Sequence, residues 1–263
     1  MTLPDDLMDF WLAWYSLSPY VRRTDWGAVI TDPRYPLIYD ANQAGVLTAH
    51  DAVTADDVLR ELTPALRKAG AAFEHVEFWD PPNPCPALEE IAARSEQRGW
   101  DVDMVFEADP TLDPSPEVEV REVDPLDDRV WAAHASTRQM FGQTLSGDVL
   151  EQMDRMAREV VVPAGLRIFA GTIGDELAGL VNLLSLNGVG YLDSVVTMPD
   201  FRRRGVATAI VLHVVERSLD GGDRIVHLLA DEGDPPQRLY ERLGFRVRAR
   251  VGSATRRLET SDR

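Results

Sequence analysis

Between Val195 and Thr208 the chain reads Val195-Val196-Thr197-Met198-Pro199-Asp200-Phe201-Arg202-Arg203-Arg204-Gly205-Val206-Ala207-Thr208. This is a β-forming run that stops, turns over a basic loop with one glycine, and opens onto helix formers. The first turn of a helix has backbone N–H groups without intrahelical partners and carries partial positive charge, so a phosphate can sit there. Gly205 would let a phosphate group approach the backbone, Ala207 keeps the next turn slim, and Arg202, Arg203 and Arg204 offer charge-assisted hydrogen bonds. The segments around the loop must hold it. Ile210, Val211, Val214 and Val215 recur at helical spacing, and Asp220-Gly221-Gly222 stops the helix they imply. No G-x-x-x-x-G-K-[ST] occurs, and no G-x-G-x-x-G opens a helix after a strand, so the kinase and dinucleotide readings fail.

Arg202-x-x-Gly205-x-Ala207 resembles the [Q/R]-x-x-G-x-[G/A] loop of the GNAT acyltransferase family, and Thr197-Met198-Pro199 resembles its V-x-P lead-in with Thr for Val. Downstream, Leu239-Tyr240-Glu241-Arg242-Leu243-Gly244-Phe245 is similar to the second signature of the family, L-Y-x-[KR]-L-G-F, in the right order and at a typical distance. The resemblance implies an acetyl-CoA-dependent N-acetyltransferase that passes the acetyl group directly to a primary amine of an unidentified small-molecule acceptor. It implies that acetyl-CoA lies between two parallel strands that splay apart, here Tyr191 to Thr197 and Arg224 to Ala230. Val195, Val196 and Thr197 would then meet the pantetheine arm through their backbone, and the amides of Arg203, Arg204, Gly205, Val206, Ala207 and Thr208 would hold the pyrophosphate beside Arg202. Tyr240 takes the family's usual acid position, protonating the leaving thiolate. Gly233 and Pro236 stand where family members usually carry Asn and Ala, which removes a side-chain contact to the pantetheine arm.

The proton acceptor is open. Asp193 could take a proton from the amine through a water, or alternation along its strand could turn it to solvent. His134, His213 and His227 read as packing residues. The five histidines, the one cysteine and the carboxylates show no metal-ligand spacing, so no metal is expected. A second class also fits the motifs: a non-catalytic acyl-CoA-binding or regulatory module.

The 263 residues suffice for one large domain or two ordinary ones, and 44% hydrophobic with 27% charged residues is the composition of a globular protein. A net charge of -17 argues against nucleic acid or an anionic membrane as partner; it favours a cationic substrate on approach or, equally, serves solubility alone. Met1 to Asp9 has no basic region followed by an apolar run, and no stretch reaches the roughly 18 apolar residues a membrane helix needs. The expectation is a cytoplasmic protein; a homodimer is left open. Cys85, in a proline-rich loop, excludes an internal disulfide.

Three prolines in Ala108 to Pro116 mark a linker, giving a first domain at 1–108, a linker at 109–116 and a catalytic domain at 117–263. After the linker, Val118 and Val120 start a strand, and Trp131 to Phe141 and Val149 to Val160 read as helices. Leu166 to Thr172 and Leu177 to Leu186 make a hairpin, Gln237 to Leu243 is a helix, and a final strand or hairpin runs from Phe245 towards Leu258. The order β-α-α-β-β-β-α-β-α-β is that of a GNAT domain.

The first part repeats this plan loosely. Helices are expected at Leu3 to Leu17, Ala55 to Lys68 and Ala87 to Arg98. Strands are expected at Ala28 to Ile30, Leu37 to Tyr39, Val46 to Thr48 and Phe73 to Phe78, and Gly99-Trp100 echoes Gly244-Phe245 before a last strand. Ala49 to Thr54 has neither glycine nor arginine where a phosphate loop would lie. The fold class expected is therefore α/β (α+β): a GNAT fold with a mixed sheet flanked by helices, preceded by a degenerate, GNAT-like α+β domain. An unrelated α+β domain remains the alternative for the first part.

Overall fold

The computed structural model describes residues 4–140 and 145–258; Leu3 and Phe141, the expected ends of two helices, lie outside the described residues. Contacts divide the chain into two compact units. One comprises Met1–Val102, Glu151–Met153 and Arg248–Arg263, the other Asp103–Leu150 and Asp154–Val247. The final strand thus contributes its C-terminal half to the first unit, whereas the sequence reading kept all of 117–263 together.

The first unit runs α1 (Asp5–Tyr15), β1 (Val21–Thr24), β2 (Gly27–Thr31), β3 (Asn42–Val46), α2 (Ala55–Ala69), β4 (Phe73–Trp79), α3 (Pro86–Ala93) and the start of β5 (Gln97–Phe106). Its strands lie in the order β1, β2, β3, β4, followed by the C-terminal half of the last strand, which pairs antiparallel with β4 from Val251↔Trp79 to Arg257↔Phe73. β3 and β4 are parallel, joined through α2. Val58, Leu62 and Leu66 recur on one side of α2 and are fully buried with Ala44, Val46, Val76 and Phe78.

The second unit holds β6 (Glu119–Val123), α4 (Asp128–Met140), α5 (Gly147–Met156), β7 (Arg167–Ile173), β8 (Glu176–Leu186), β9 (Val189–Thr197), α6 (Val206–Asp220), β10 (Ile225–Asp231) and α7 (Pro235–Arg242), and enters β11 (Phe245–Arg257). Its strand order is β5, β10, β9, β8, β7, β6. β9 and β10 are parallel across the α6 crossover, while β6 to β9 form antiparallel pairs. Ile210, Val211, Val214 and Val215 of α6 are buried, as the spacing predicts, and so is Ala209.

Several first-unit expectations fail for identifiable reasons. Leu37 to Tyr39 is no strand: Ile38 N–H donates to the Tyr35 carbonyl at 3.0 Å, and Asn42 Nδ2 donates to the carbonyls of Tyr35 and Ile38 at 2.9 and 3.0 Å, curling the segment into a turn. β3 lies at 42–46 rather than 46–48, because Asn42 and Gln43, although polar, are buried in it. α3 ends at Ala93, not Arg98, since Glu96 N–H already pairs with the Thr255 carbonyl at 3.0 Å. Gly99 sits inside β5, whereas Gly244 follows α7 at φ 97°, so that echo does not mark equivalent positions.

Candidate functional site

The register of β9 with β10 runs from Val189↔Ile225 to Leu192↔Leu228. Beyond it the strands part, β9 continuing through Thr197 and β10 through Asp231. A bulge contributes to the divergence. Asn182 faces Asp193 and Leu180 faces Val196, so β9 spends two residues, Ser194 and Val195, against the single Val181 of β8. Ser194 adopts φ 53° there. Such a bulge bends its strand and raises the local twist. On the β10 side, Asp193 to Thr197 therefore present backbone outside the β9–β10 ladder, which is where the sequence reading places Val195, Val196 and Thr197.

After Thr197, Met198 N–H donates to the Ala178 carbonyl at 2.9 Å and a short 3-10 turn covers Pro199–Phe201. Arg203 is left-handed at φ 62° and Gly205, at φ 77°, is the residue that precedes α6. A run of this kind gathers successive N–H groups into an anion-binding concavity. No side chain caps α6 and its first turn holds no acid, so nothing in that turn offsets its positive end. Val206 and Thr208 are buried at 1% and 6% exposure, which leaves their backbone and not their side chains to a ligand. Arg202, Arg203 and Arg204 are exposed. Arg204 is not idle: its Nη2 lies 3.1 Å from Glu117 Oε2, and its guanidinium sits over the Phe201 ring at 5.4 Å. Gly205 is required twice, by its positive φ and because a Cβ there would lie 2.9 Å from Ser115 Cβ.

Tyr240, the sixth residue of α7, is 7% exposed. Burial first, and the negative charge of Asp193 second, push its phenol up to about 12. The charge of Asp193 thus reaches the Tyr240 phenol. Asp193 itself is exposed and accepts from Ser194 Oγ at 2.9 Å.

His227 is fully buried, as a packing residue would be, yet its Nδ1 lies 2.8 Å from Asp103 Oδ1 with both side chains at 0% exposure. Its ring centroid is 5.0 Å from that of Tyr191, its register partner. Sequence reasoning missed Asp103, which looked like one polar position in an alternating strand. His134 is buried beside Trp131, ring centroids 5.5 Å apart, and His213 is half-buried on α6. Among the described residues no group of three or more His, Cys, Asp or Glu could hold a metal ion.

The parting of two parallel strands beside an uncapped helix is joined by a match of residues 131–245 to the Acetyltransferase (GNAT) family. Residues 131–245 belong to the GNAT acetyltransferase family. The GNAT segment covers both signature motifs, β9, α6, β10 and α7. No curated protein matches the chain. Among solved structures, the chain is similar to a functionally unknown conserved protein from Staphylococcus epidermidis (14% identity, 89% of this chain and 92% of that one, TM-score 0.68). It is also similar to a GCN5-related N-acetyltransferase from Sphaerobacter thermophilus (20%, 87% and 75%, TM-score 0.59). A tandem GNAT protein from the clavulanic acid biosynthesis pathway matches over 100% of this chain and 98% of its own, at 15% identity and a TM-score of 0.59. At such identities the likeness is one of fold: a GNAT fold preceded by a second GNAT-like unit. The family's chemistry is acyl transfer from acyl-CoA.

Proposed function

We propose that the protein is an acetyl-CoA-dependent N-acetyltransferase of the cytoplasm, acting on a primary amine of a small acceptor. The observation that carries this reading is the parting of β9 from β10 directly before the uncapped end of α6. An extended pantetheine arm would pair with the backbone at Val195 to Thr197, and the pyrophosphate would rest on the amides of Arg203 to Thr208 beside Arg202. The amine nitrogen, having lost one proton, attacks the thioester carbonyl; the C–N bond forms, the C–S bond breaks, and the second nitrogen proton is released as the amide forms. Asp193 attracts the cationic acceptor and takes the first proton through water.

Tyr240 is held neutral up to about 12, well above a thiol of ordinary pKa ~8.5. Outright loss of its proton to a free thiolate would run uphill by about 5 kcal/mol. Tyr240 therefore acts as a hydrogen-bond donor to sulfur as charge develops, passing on the proton that the amine nitrogen releases. Bond making and proton supply then balance without another reagent.

Calorimetry with acetyl-CoA and thiol release over a panel of amines test the reading. Acetyl-CoA at one hundred times its Kd should stabilise the protein by roughly 2.7 kcal/mol. Absence of binding at millimolar CoA rejects the assignment. Binding with neither amine-dependent thiol release nor slow acetyl-CoA hydrolysis would favour a binding module over an enzyme.

A further inference from the structure

The segment leading from β5 to β6 lines one side of an open pocket of about 550 Å³ in the second unit, which the proposed reaction does not use. This strap is tied at both ends. At one, Glu107 and Ala108 donate N–H to the Gly244 carbonyl at 3.0 and 3.2 Å, and Thr111 donates N–H and Oγ1 to the Arg242 carbonyl at 2.8 and 3.0 Å. At the other, Glu117 pairs with Arg204 and Ser115 abuts Gly205. Pro110, Pro114 and Val118 of the strap line the pocket with Leu212 and Leu219 of α6. Leu219 is 42% exposed, a large apolar side chain left uncovered.

The polar lining comes from His213, Glu216 and Asp220. Burial, assisted by the Arg217 charge, holds His213 below its ordinary value, so it is neutral at pH 7. Arg217 lies 2.7 Å from Asp220 and 3.8 Å from Glu216, offsetting one of the two carboxylates and leaving one net negative charge. The volume falls within the usual range for small-molecule sites, and apolar walls with a few polar groups are their usual lining.

We propose that this pocket is a second ligand site, for a small amphipathic monocation such as an arylalkyl primary amine, with its apolar body against the strap and Leu212 and its ammonium group at Glu216 and Asp220. The strap's far end touches Arg204 and Gly205, so occupation also changes the grip of the loop on CoA. That second consequence rests on the proposed acetyl-CoA reading; the site itself does not.

The test titrates 2-phenylethylamine into the full chain by calorimetry without CoA. Leu212→Trp fills the pocket and should weaken binding by roughly tenfold or more, and Glu216→Gln, on the surface, by about threefold. Asp193→Asn, in the proposed acceptor cleft, should leave this binding unchanged. The Kd of CoA should differ with and without the amine, by the same factor as the reciprocal experiment gives. The site is rejected if millimolar amine does not bind, or if Glu216→Gln and a folded Leu212→Trp bind as the parent does. It is also rejected if Asp193→Asn abolishes the binding. A protein that binds the amine in the predicted way but no CoA keeps the site and loses the acyltransferase reading.

Discussion

Each unit of this chain sends a strand through a helix into a parallel strand, and each finishes that crossover differently. At α2, Thr54 Oγ1 accepts the Asp57 N–H at 3.1 Å while the Asp57 carboxylate accepts the Thr54 N–H at 3.1 Å, and Asp56 and Asp57 place negative charge in the first turn. At α6 there is no side-chain cap, no acid, and three arginines stand ahead of Gly205. The first helix satisfies its own end and repels an anion; the second leaves its N–H groups to one.

The strands tell the same story. The β3–β4 register ends at Val46↔Phe78, as β9–β10 ends at Leu192↔Leu228. In the first unit Leu47 N–H then binds the Trp26 carbonyl at 2.8 Å. Trp79, fully buried, lies against Trp11 at 4.1 Å and donates to Tyr15 Oη at 2.9 Å, and Tyr15 donates to Glu77 at 3.1 Å. Gly45 has no Cβ because one would lie 2.3 Å from that hydroxyl oxygen. Aromatic side chains thus pack against this end of the ladder. In the second unit, two positions beyond His227, Leu229 is only half-buried and β9 runs on for five residues past its pairing, Asp193 to Thr197. Ile91, sixth in α3 as Tyr240 is sixth in α7, is a core residue without a hydroxyl. One frame is finished differently in the two units, so function has to be argued from the site and not from the fold.

The largest expected effect breaks the contrast at this sixth position. Tyr240→Phe keeps the ring that packs 6.0 Å from Phe245 and removes the donor, making the site resemble its first-unit counterpart. Turnover should fall by roughly 10²- to 10⁴-fold with CoA affinity little changed. A second readout concerns the fold: the folded-state value, about 12 against an ordinary 10.0, means that burial favours the neutral phenol. That contribution is complete below pH 10 and is lost as pH rises through 12, amounting to about 2.7 kcal/mol at most. The variant's stability should therefore decline less across this window. Turnover within twofold of the parent, with acyl transfer rate-limiting, would reject Tyr240 as donor.

A smaller effect tests the helix ends. Gly205 is a poor place to add an acid, since any side chain meets Ser115 and strains φ. Ala207, half-buried in the first turn, avoids both problems. Ala207→Glu gives α6 the acidic first turn of α2, so the helix should gain about 0.3–1 kcal/mol while CoA affinity drops by roughly tenfold or more through like-charge repulsion. The opposite signs are the point of the variant. Denaturant melts and calorimetry on one preparation would check them, and undiminished affinity would place the pyrophosphate elsewhere.

What could be read from sequence follows the same division. The order of elements from 117 to 258 was legible because its two motifs sit at helix ends, where residue type dictates backbone, and Ile210, Val211, Val214 and Val215 fall at helical spacing between them. The first unit was blurred because its packing is polar or aromatic: Asn42 and Gln43 hide β3, and β1 is Val21-Arg22-Arg23-Thr24, without alternation. Asp103 paired with His227 was invisible, since 124 positions separate them and neither lies in a motif. The bulge at Ser194 was equally hidden. It is set by a residue count against β8, not by any residue type that demands it.

The smallest effect concerns the helix that should not bind. Thr54→Ala removes the cap of α2 and should cost about 1 kcal/mol of stability while leaving CoA affinity and turnover at the parent's level. The cost should also depend on pH. The hydrogen bond from the Thr54 hydroxyl is the largest influence holding the Asp57 carboxyl below its ordinary 3.8, followed by the Thr54 N–H and Arg60. A lowered folded-state value means the contribution is present above that pH and fades as Asp57 takes up a proton. Melts of parent and variant should therefore converge towards acid and separate near neutrality. If Thr54→Ala instead weakens CoA, the uncapped α2 end and not α6 alone governs the ligand, and the assignment of one closed and one open unit fails.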